Sequence, residues 1–223
     1  MTGRQTYSER RWPNTPEFNS ALFSLKEAGS VVLLQLVWKA YDNFCARALS
    51  KVDCCREDED LERDITEQLE LDVREVMTGY EPFDVQHGPY ERETRAVPPA
   101  QPPQYDIAFK LRRYPRVMWP LEAKVLRTDG RVGEYVGEIR QNFLTCRYSP
   151  FSNEGAMLGY LLSGDPEIAL SNIADKGGWN LGPHPDFLDR EHRTSDHVRK
   201  VQRGKSYASK FRCHHLIFQL QMS

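Results

Sequence analysis

Two short runs decide the fold: Gln104-Tyr105-Asp106-Ile107-Ala108-Phe109-Lys110-Leu111 and, after the basic link Arg112-Arg113-Tyr114-Pro115-Arg116, Met118-Trp119-Pro120-Leu121-Glu122-Ala123-Lys124-Val125-Leu126. Both are apolar runs of strand length, and the proline and charges between them suit a hairpin connection. Asp106 opens the first run. Glu122 and Lys124 interrupt the second with one residue between them, so a strand repeat of two places both side chains on one face. Ionisable groups inside otherwise buried strands are the main functional clue in the sequence.

Upstream, Val97 to Pro103 carries four prolines, which bias their predecessors towards extended backbone and deliver the chain extended into Tyr105-Asp106. Phe83 to Thr94 is expected to form a first strand. Before it, Glu57 to Met77 predicts a helix with the apolar stripe Leu61, Ile65, Leu69, Val73 and Val76, stopped by Thr78-Gly79. Glu62 falls at the border of that stripe, the one acid of the helix placed to aim inward. Glu17 to about Leu49 is also helical in pattern, with Gly29-Ser30 a candidate break, and residues 1 to 16 predict an irregular arm.

Downstream, Thr128-Asp129-Gly130 predicts a turn and Glu134 to Cys146 a helix with Tyr135, Ile139, Phe143 and Leu144 on one side. Ala156 to Leu162 reads as a strand buried on both faces, and Asp165-Pro166 as the start of a helix to about Ala174. Gly177 to Asp196 reads as loop, and Cys213 to Leu220 as a last strand. The order predicts an α/β fold around a mixed β-sheet flanked by helices, with residues 1–56 an N-terminal arm and helical segment packed on a core spanning 57–223.

The 223 residues suit one domain, and the net charge of −2 hides an acidic Glu57 to Glu75 and a basic Arg193 to Arg212. Such a basic segment can serve as a footprint for a polyanion, or as a plain solvated face. Five cysteines without a C-x-x-C spacing argue against a zinc site or disulfide framework. The most apolar early run, Val31 to Val37, is far too short to span a bilayer, and a cytoplasmic protein is expected. His184, His192, His197, His214 and His215 lack ligand spacing, and His214 and His215 point to opposite faces if they share a strand.

Phosphodiester hydrolysis needs a water made nucleophilic and neutralisation of charge at phosphorus; a magnesium ion held by one or two carboxylates supplies most of this. Asp106 and Glu122 on neighbouring strands suit such a pair, with Lys124 on the same face as Glu122 to contact the phosphate or water. Ala123, small and between them, would let its carbonyl approach a metal. Pro103-Gln104-Tyr105-Asp106, fifteen residues, then Glu122-Ala123-Lys124 resembles the signature of the PD-(D/E)xK, or restriction-endonuclease-like, nuclease superfamily, although Gln104-Tyr105 separates the proline from Asp106. The resemblance implies a restriction-endonuclease-like core, Asp106 and Glu122 as metal ligands, Lys124 as the catalytic lysine and Glu62 as a further metal-shell acid.

It further implies Mg2+ as cofactor, with Mn2+ able to substitute, and DNA as substrate in preference to RNA, in bacterial restriction, anti-phage defence or repair. A protein partner or homo-oligomer is a further expectation. Gln141 and Arg147 after the crossover helix, and Arg203 and Lys205 in the basic segment, are the weaker candidates for nucleic-acid contact; the same residues suit a helix surface, a loop or an amphipathic helix equally. The competing reading is a catalytically inactive nuclease-fold module that binds nucleic acid or scaffolds a complex.

Overall fold

The structure, a computed structural model, describes residues 16–48, 52–94 and 101–220. The predicted N-terminal arm and much of the proline-rich loop lie outside the described residues. Helix α1 spans Pro16–Arg47 and α2 spans Asp58–Val76; strands β1 (Phe83–His87), β2 (Ile107–Leu111) and β3 (Met118–Leu126) follow. Next come α3 (Gly133–Glu138), continued by a π-helical turn over Ile139–Phe143, then β4 (Glu154–Leu161) and α4 (Pro166–Gly177). The chain closes with β5 (Gly182–Pro183), β6 (His192–Val198) and β7 (Lys210–Gln219).

The seven strands form one mixed sheet in the order β1-β2-β3-β4-β7-β6-β5. β1, β2 and β3 make an antiparallel meander; β3, β4 and β7 run parallel, and β6 returns antiparallel to β7. The architecture is therefore α/β, a mixed sheet with helices on both faces. Strand parity sorts the core. Trp119, Leu121, Ala123, Leu158, Tyr160, Leu216 and Phe218 pack with Leu61, Ile65, Leu69 and Val73 of α2 and Leu33 to Phe44 of α1. Met118, Leu126, Met157, Leu161, Cys213 and Ile217 pack on the other face with Tyr135, Ile139, Phe143 and α4. Each face thus buries a complete layer of apolar side chains.

Several expectations need correction. Gly29-Ser30 does not split the N-terminal helix: a helical glycine costs only about 1 kcal/mol, and Leu33, Leu34, Val37, Ala40 and Phe44 are all buried just beyond it. The first strand stops at His87, not Thr94; after Gly88 (φ 66°) the chain keeps one isolated bridge, Tyr90 to Gln104. The segment read as loop from Gly177 contains β6, a strand missed because its two most buried positions are His192 and Ser195 instead of apolar residues. The basic segment holds no amphipathic helix; its first residues belong to β6, and it is loop from Arg199 up to β7, which begins three residues earlier than expected.

Other elements follow their local chemistry. Asp165 caps α4, its carboxylate accepting from the Glu167 and Ile168 N–H groups at 2.8 and 3.1 Å, with Pro166 in the first turn. That helix runs three residues past Ala174 and ends on Gly178 in the left-handed region. All five cysteines are free thiols, Cys146 and Cys213 buried. Among the described residues, no helix is long and apolar enough to cross a membrane.

Candidate active site

The site lies where β2 and β3 part. Their pairing ends at Ile107 opposite Leu121, so the last five residues of β3 have no partner on the β2 side. Backbone N–H groups left in that position need acceptors. Two carboxylates provide them: Asp106 Oδ2 accepts from Ala123 N at 2.7 Å, and Glu62 Oε2 accepts from Val125 N at 3.3 Å. The open edge of β3 thus draws one acid from the meander and one from α2.

Each acid is held by its element. Gln104, Tyr105 and Asp106 run extended beside the chain leaving β1, with Tyr105 N donating to Pro89 O at 3.0 Å and Gly88 N to Asp106 O at 2.9 Å. That is the extended delivery the prolines predict. Glu62 follows from α2, whose Leu61, Ile65, Leu69 and Val73 are at most 3% exposed. Burying four aliphatic side chains is worth roughly 6–12 kcal/mol in all, enough to carry one costly acid into the interior. The other oxygen of Glu62 accepts from Lys124 Nζ at 2.7 Å. Burial pushes the Glu62 carboxyl up to about 7, helped by Asp106 and opposed by Lys124 and the Val125 N–H. Burial weighs on the Lys124 ammonium too, yet Glu62, Asp106 and Glu138 outweigh it and hold the pKa above the usual lysine value.

Glu122 is the anomaly. It is 3% exposed, and its Oε1 has no hydrogen-bond partner. Its carboxyl is pushed well above the usual range by burial, then by Asp106 and Glu138, with Lys124 alone pulling the other way. Isolated buried carboxylates are strongly disfavoured unless paired or bound to a cation. Asp106 thus acts on both Glu62 and Glu122, and Glu138 on Glu122, around the Lys124 ammonium, one of whose three N–H donors is taken by Glu62.

Glu138 is the member that the sequence reading missed. It ends the regular part of α3, and its carboxylate accepts from Asn142 Nδ2 across the π-helical turn, where Leu144 N reaches back to Ile139 O at 3.0 Å. π-turns of this kind are frequent at functional sites. The available signal was an acid three residues after Tyr135 and one before Ile139, on the border of the apolar stripe like Glu62. The Tyr148 ring is a further neighbour: its hydroxyl donates to Gln104 O at 2.8 Å, and burial first, then Glu122, Glu138 and Asp106, raise its pKa.

Asp106, Glu122, Lys124 and Glu62 are therefore brought together as expected. The fit to a divalent cation is set by the donors. Among the described residues no three His, Cys, Asp or Glu side chains already stand as a ready ligand group. A magnesium ion needs fewer, since it usually keeps several waters and takes one or two carboxylates with substrate phosphate. The unpaired Glu122 Oε1 beside Asp106 fits that requirement.

The weaker candidates scatter. Gln141 and Arg147 are exposed on and just after the π-turn, with Arg147 O accepting from Thr94 at 2.6 Å. Arg203 is exposed in the loop before β7, while Lys205 lies 3.7 Å from the buried Glu93 and over the Tyr207 ring. The two loops do meet, through Lys200 N to Leu144 O at 3.0 Å and Arg199 Nη1 to Ser149 O at 2.8 Å.

The histidines close on themselves. His214 and His215 do face opposite sides of β7. On one side Trp38 Nε1, a donor only, reaches His192 Nδ1 at 3.4 Å, which leaves His192 Nε2–H to donate to His214 Nδ1 at 3.2 Å and turns His214 Nε2 towards Glu154, 3.5 Å away. On the other side Tyr135 donates to Met157 O at 3.2 Å, so it accepts from His215 Nδ1–H; His215 Nε2 accepts from Ser195 at 2.7 Å, and Ser195 from His197 Nε2–H at 2.7 Å. Burial first, then neighbouring histidines, depress His192 to about 2 and His215 to about 3.

Comparisons with protein-family models, with curated proteins and with solved structures gave no match for this chain.

Proposed function

We propose that the protein is a metal-dependent nuclease with a restriction-endonuclease-like core, hydrolysing phosphodiester bonds of DNA. The observation that carries the reading is Glu122: a buried carboxylate with an unpaired oxygen, set against Asp106 at the point where β2 and β3 part. The meander, crossover helix and parallel fourth strand agree with the core that the sequence motif implies.

Asp106 and Glu122 would hold a magnesium ion. The N–H and C=O of a strand residue point to the same side, so the Ala123 carbonyl faces the same open edge as its N–H, which Asp106 binds. When bound, the ion supplies Lewis-acid polarisation of the phosphate and a more acidic water. Lys124, kept protonated by Glu62, offers its remaining N–H donors to a phosphate oxygen or to the attacking water and stabilises negative charge as it develops at phosphorus. Glu62 positions that ammonium through a fixed hydrogen bond. Tyr148, buried against the acids, limits water at the fork.

The test is cleavage of supercoiled, linear and single-stranded DNA by the full chain with magnesium, manganese or chelator. Metal-dependent nicking that disappears in Lys124→Ala, with the circular dichroism unchanged, is the expected result. Tight DNA binding without cleavage under any metal would replace this reading with the inactive binding module.

A further inference from the structure

Resting on the nuclease reading, we infer that Tyr105 is the residue that positions Asp106 at the fork, and that Glu91 and the turn at Ser149 are the anchors that hold it. In a regular strand the side chains stand roughly perpendicular to the sheet, while the backbone hydrogen bonds run within it. The Asp106 carboxylate departs from that rule, since it reaches sideways to Ala123 N on the edge of β3. A break in strand alternation makes this possible. Strict alternation would put Tyr105 on the side of Ile107 and Phe109, facing α1 and α2; it packs instead with Ala108 and Met118 on the opposite face, and the chain bends at Asp106.

The Tyr105 hydroxyl keeps the ring on that face. It donates to Glu91 Oε2 at 2.7 Å and accepts from Ser149 N at 2.9 Å. Glu91 is a buried acid committed to this task, its other oxygen accepting from Glu93 N at 2.8 Å. Ser149 has a φ of 54°, an unfavourable conformation for a residue with a side chain. It is kept there by Arg199 Nη1, which donates to its carbonyl at 2.8 Å, and by its own hydroxyl, 3.1 Å from both Ser152 O and Glu154 O. A strained turn held by its surroundings thus aims one N–H at Tyr105. At 1% exposure, Tyr105 acts through Asp106 and is a positioning residue.

The experiment is amide hydrogen exchange in the metal-free full chain, Tyr105→Phe beside wild type, with Mn2+ titration of both. Tyr105→Phe keeps the ring and loses both hydroxyl bonds. The Ala123 amide, which Asp106 covers, is expected to exchange about tenfold faster, while the Val125 amide, covered by Glu62, stays within about threefold. Mn2+ binding should weaken by about tenfold or more. Tyr41→Phe, which loses its hydroxyl bond to Gln219 O, should change neither. An unchanged Ala123 amide or an unchanged Mn2+ affinity in Tyr105→Phe, or equal acceleration at Ala123 and Val125, would each overturn the inference. If Tyr105→Phe does not fold, exchange in the wild type decides: the Ala123 and Ser149 amides should open with the same free energy and urea dependence, and Ala123 opening alone would overturn it. A wild-type chain that binds no Mn2+ ends the nuclease reading, while the exchange result, which needs no metal, still decides what Tyr105 does for Asp106.

Discussion

Two buried polar regions lie within one sheet and are built on opposite rules. Around β6 and β7, histidines, Ser195, Tyr135 and Trp38 form chains in which nearly every donor meets an acceptor, ending on the Met157 carbonyl on one side and against Glu154 on the other. Around the end of β2, four acids share one lysine and Glu122 keeps an unpaired oxygen. The first arrangement satisfies itself except at His214 Nε2, which has only Glu154 at 3.5 Å, and it stabilises the fold; the second leaves a carboxylate oxygen unpaired beside another acid. Buried polar groups without partners cost free energy, and such a cost persists where a function requires it.

The largest contrast should appear in activity. Lys124→Ala removes the single cation of the acidic fork and is expected to lower DNA cleavage by at least about 10²-fold, measured as initial nicking rate, with the fold retained. His215→Ala should leave cleavage per folded molecule near wild type but destabilise the chain by about 2–4 kcal/mol in urea unfolding, because Tyr135 and Ser195 lose a shared partner and a buried ring is removed. If these two phenotypes were exchanged, the division between the regions would be wrong.

Much of this was legible in the sequence, and the failures have common causes. The bounds of α2 and β3 follow from their apolar spacing, and Asp165-Pro166 announces α4. Glu122 and Lys124 could be placed because they interrupt the apolar run of β3, Asp106 because it opens the run of β2, and Glu62 because it borders the stripe of α2. β6 could not, since His192 and Ser195 fill its core positions and only the partners Trp38, His214 and His215, distant in sequence, make them fit to bury. The continuity of α1 depends on packing against Tyr160 and Phe218, which no local signal at Gly29-Ser30 reveals. Glu138 stands at the border of its apolar stripe, just before the π-turn, in a helical stretch too short for its pattern to single the residue out.

Acid should act on the two regions with opposite sign. His192 and His215 have folded pKa values of about 2 and about 3, depressed below the ordinary 6.5, so the unfolded chain binds more protons and their contribution is lost as pH falls from about 6.5. Glu62 is raised from 4.5 to about 7, so the folded chain binds more protons and its burden is relieved as pH falls from about 7 towards 4.5. His192→Asn should reduce the acid-side slope of unfolding free energy by up to about 1.4 kcal/mol per pH unit below pH 6, and Glu62→Gln should steepen it between pH 7 and 5. Urea titrations at a series of pH values measure both, and an unchanged slope in His192→Asn would remove the histidines from the acid response.

The smallest effect should come from the rim of the histidine region. Arg190 makes a two-pronged pair with Asp42, both contacts 2.7 Å, and lies 5.2 Å from the centre of the Trp38 ring. Arg190→Ala should cost about 0.5–1 kcal/mol in thermal unfolding and leave cleavage unaltered; a cleavage defect would mean that the two regions are coupled.

The central claim is that the carboxylate pair at the end of β2 is a cation site. Titration of the metal-free full chain with Mn2+, wild type beside Glu122→Gln, tests it most directly. One binding site per chain in the wild type, lost in Glu122→Gln while the metal-free variant melts at or above the wild-type temperature, is the result expected. Equal Mn2+ binding by both proteins, or none by the wild type, would contradict it.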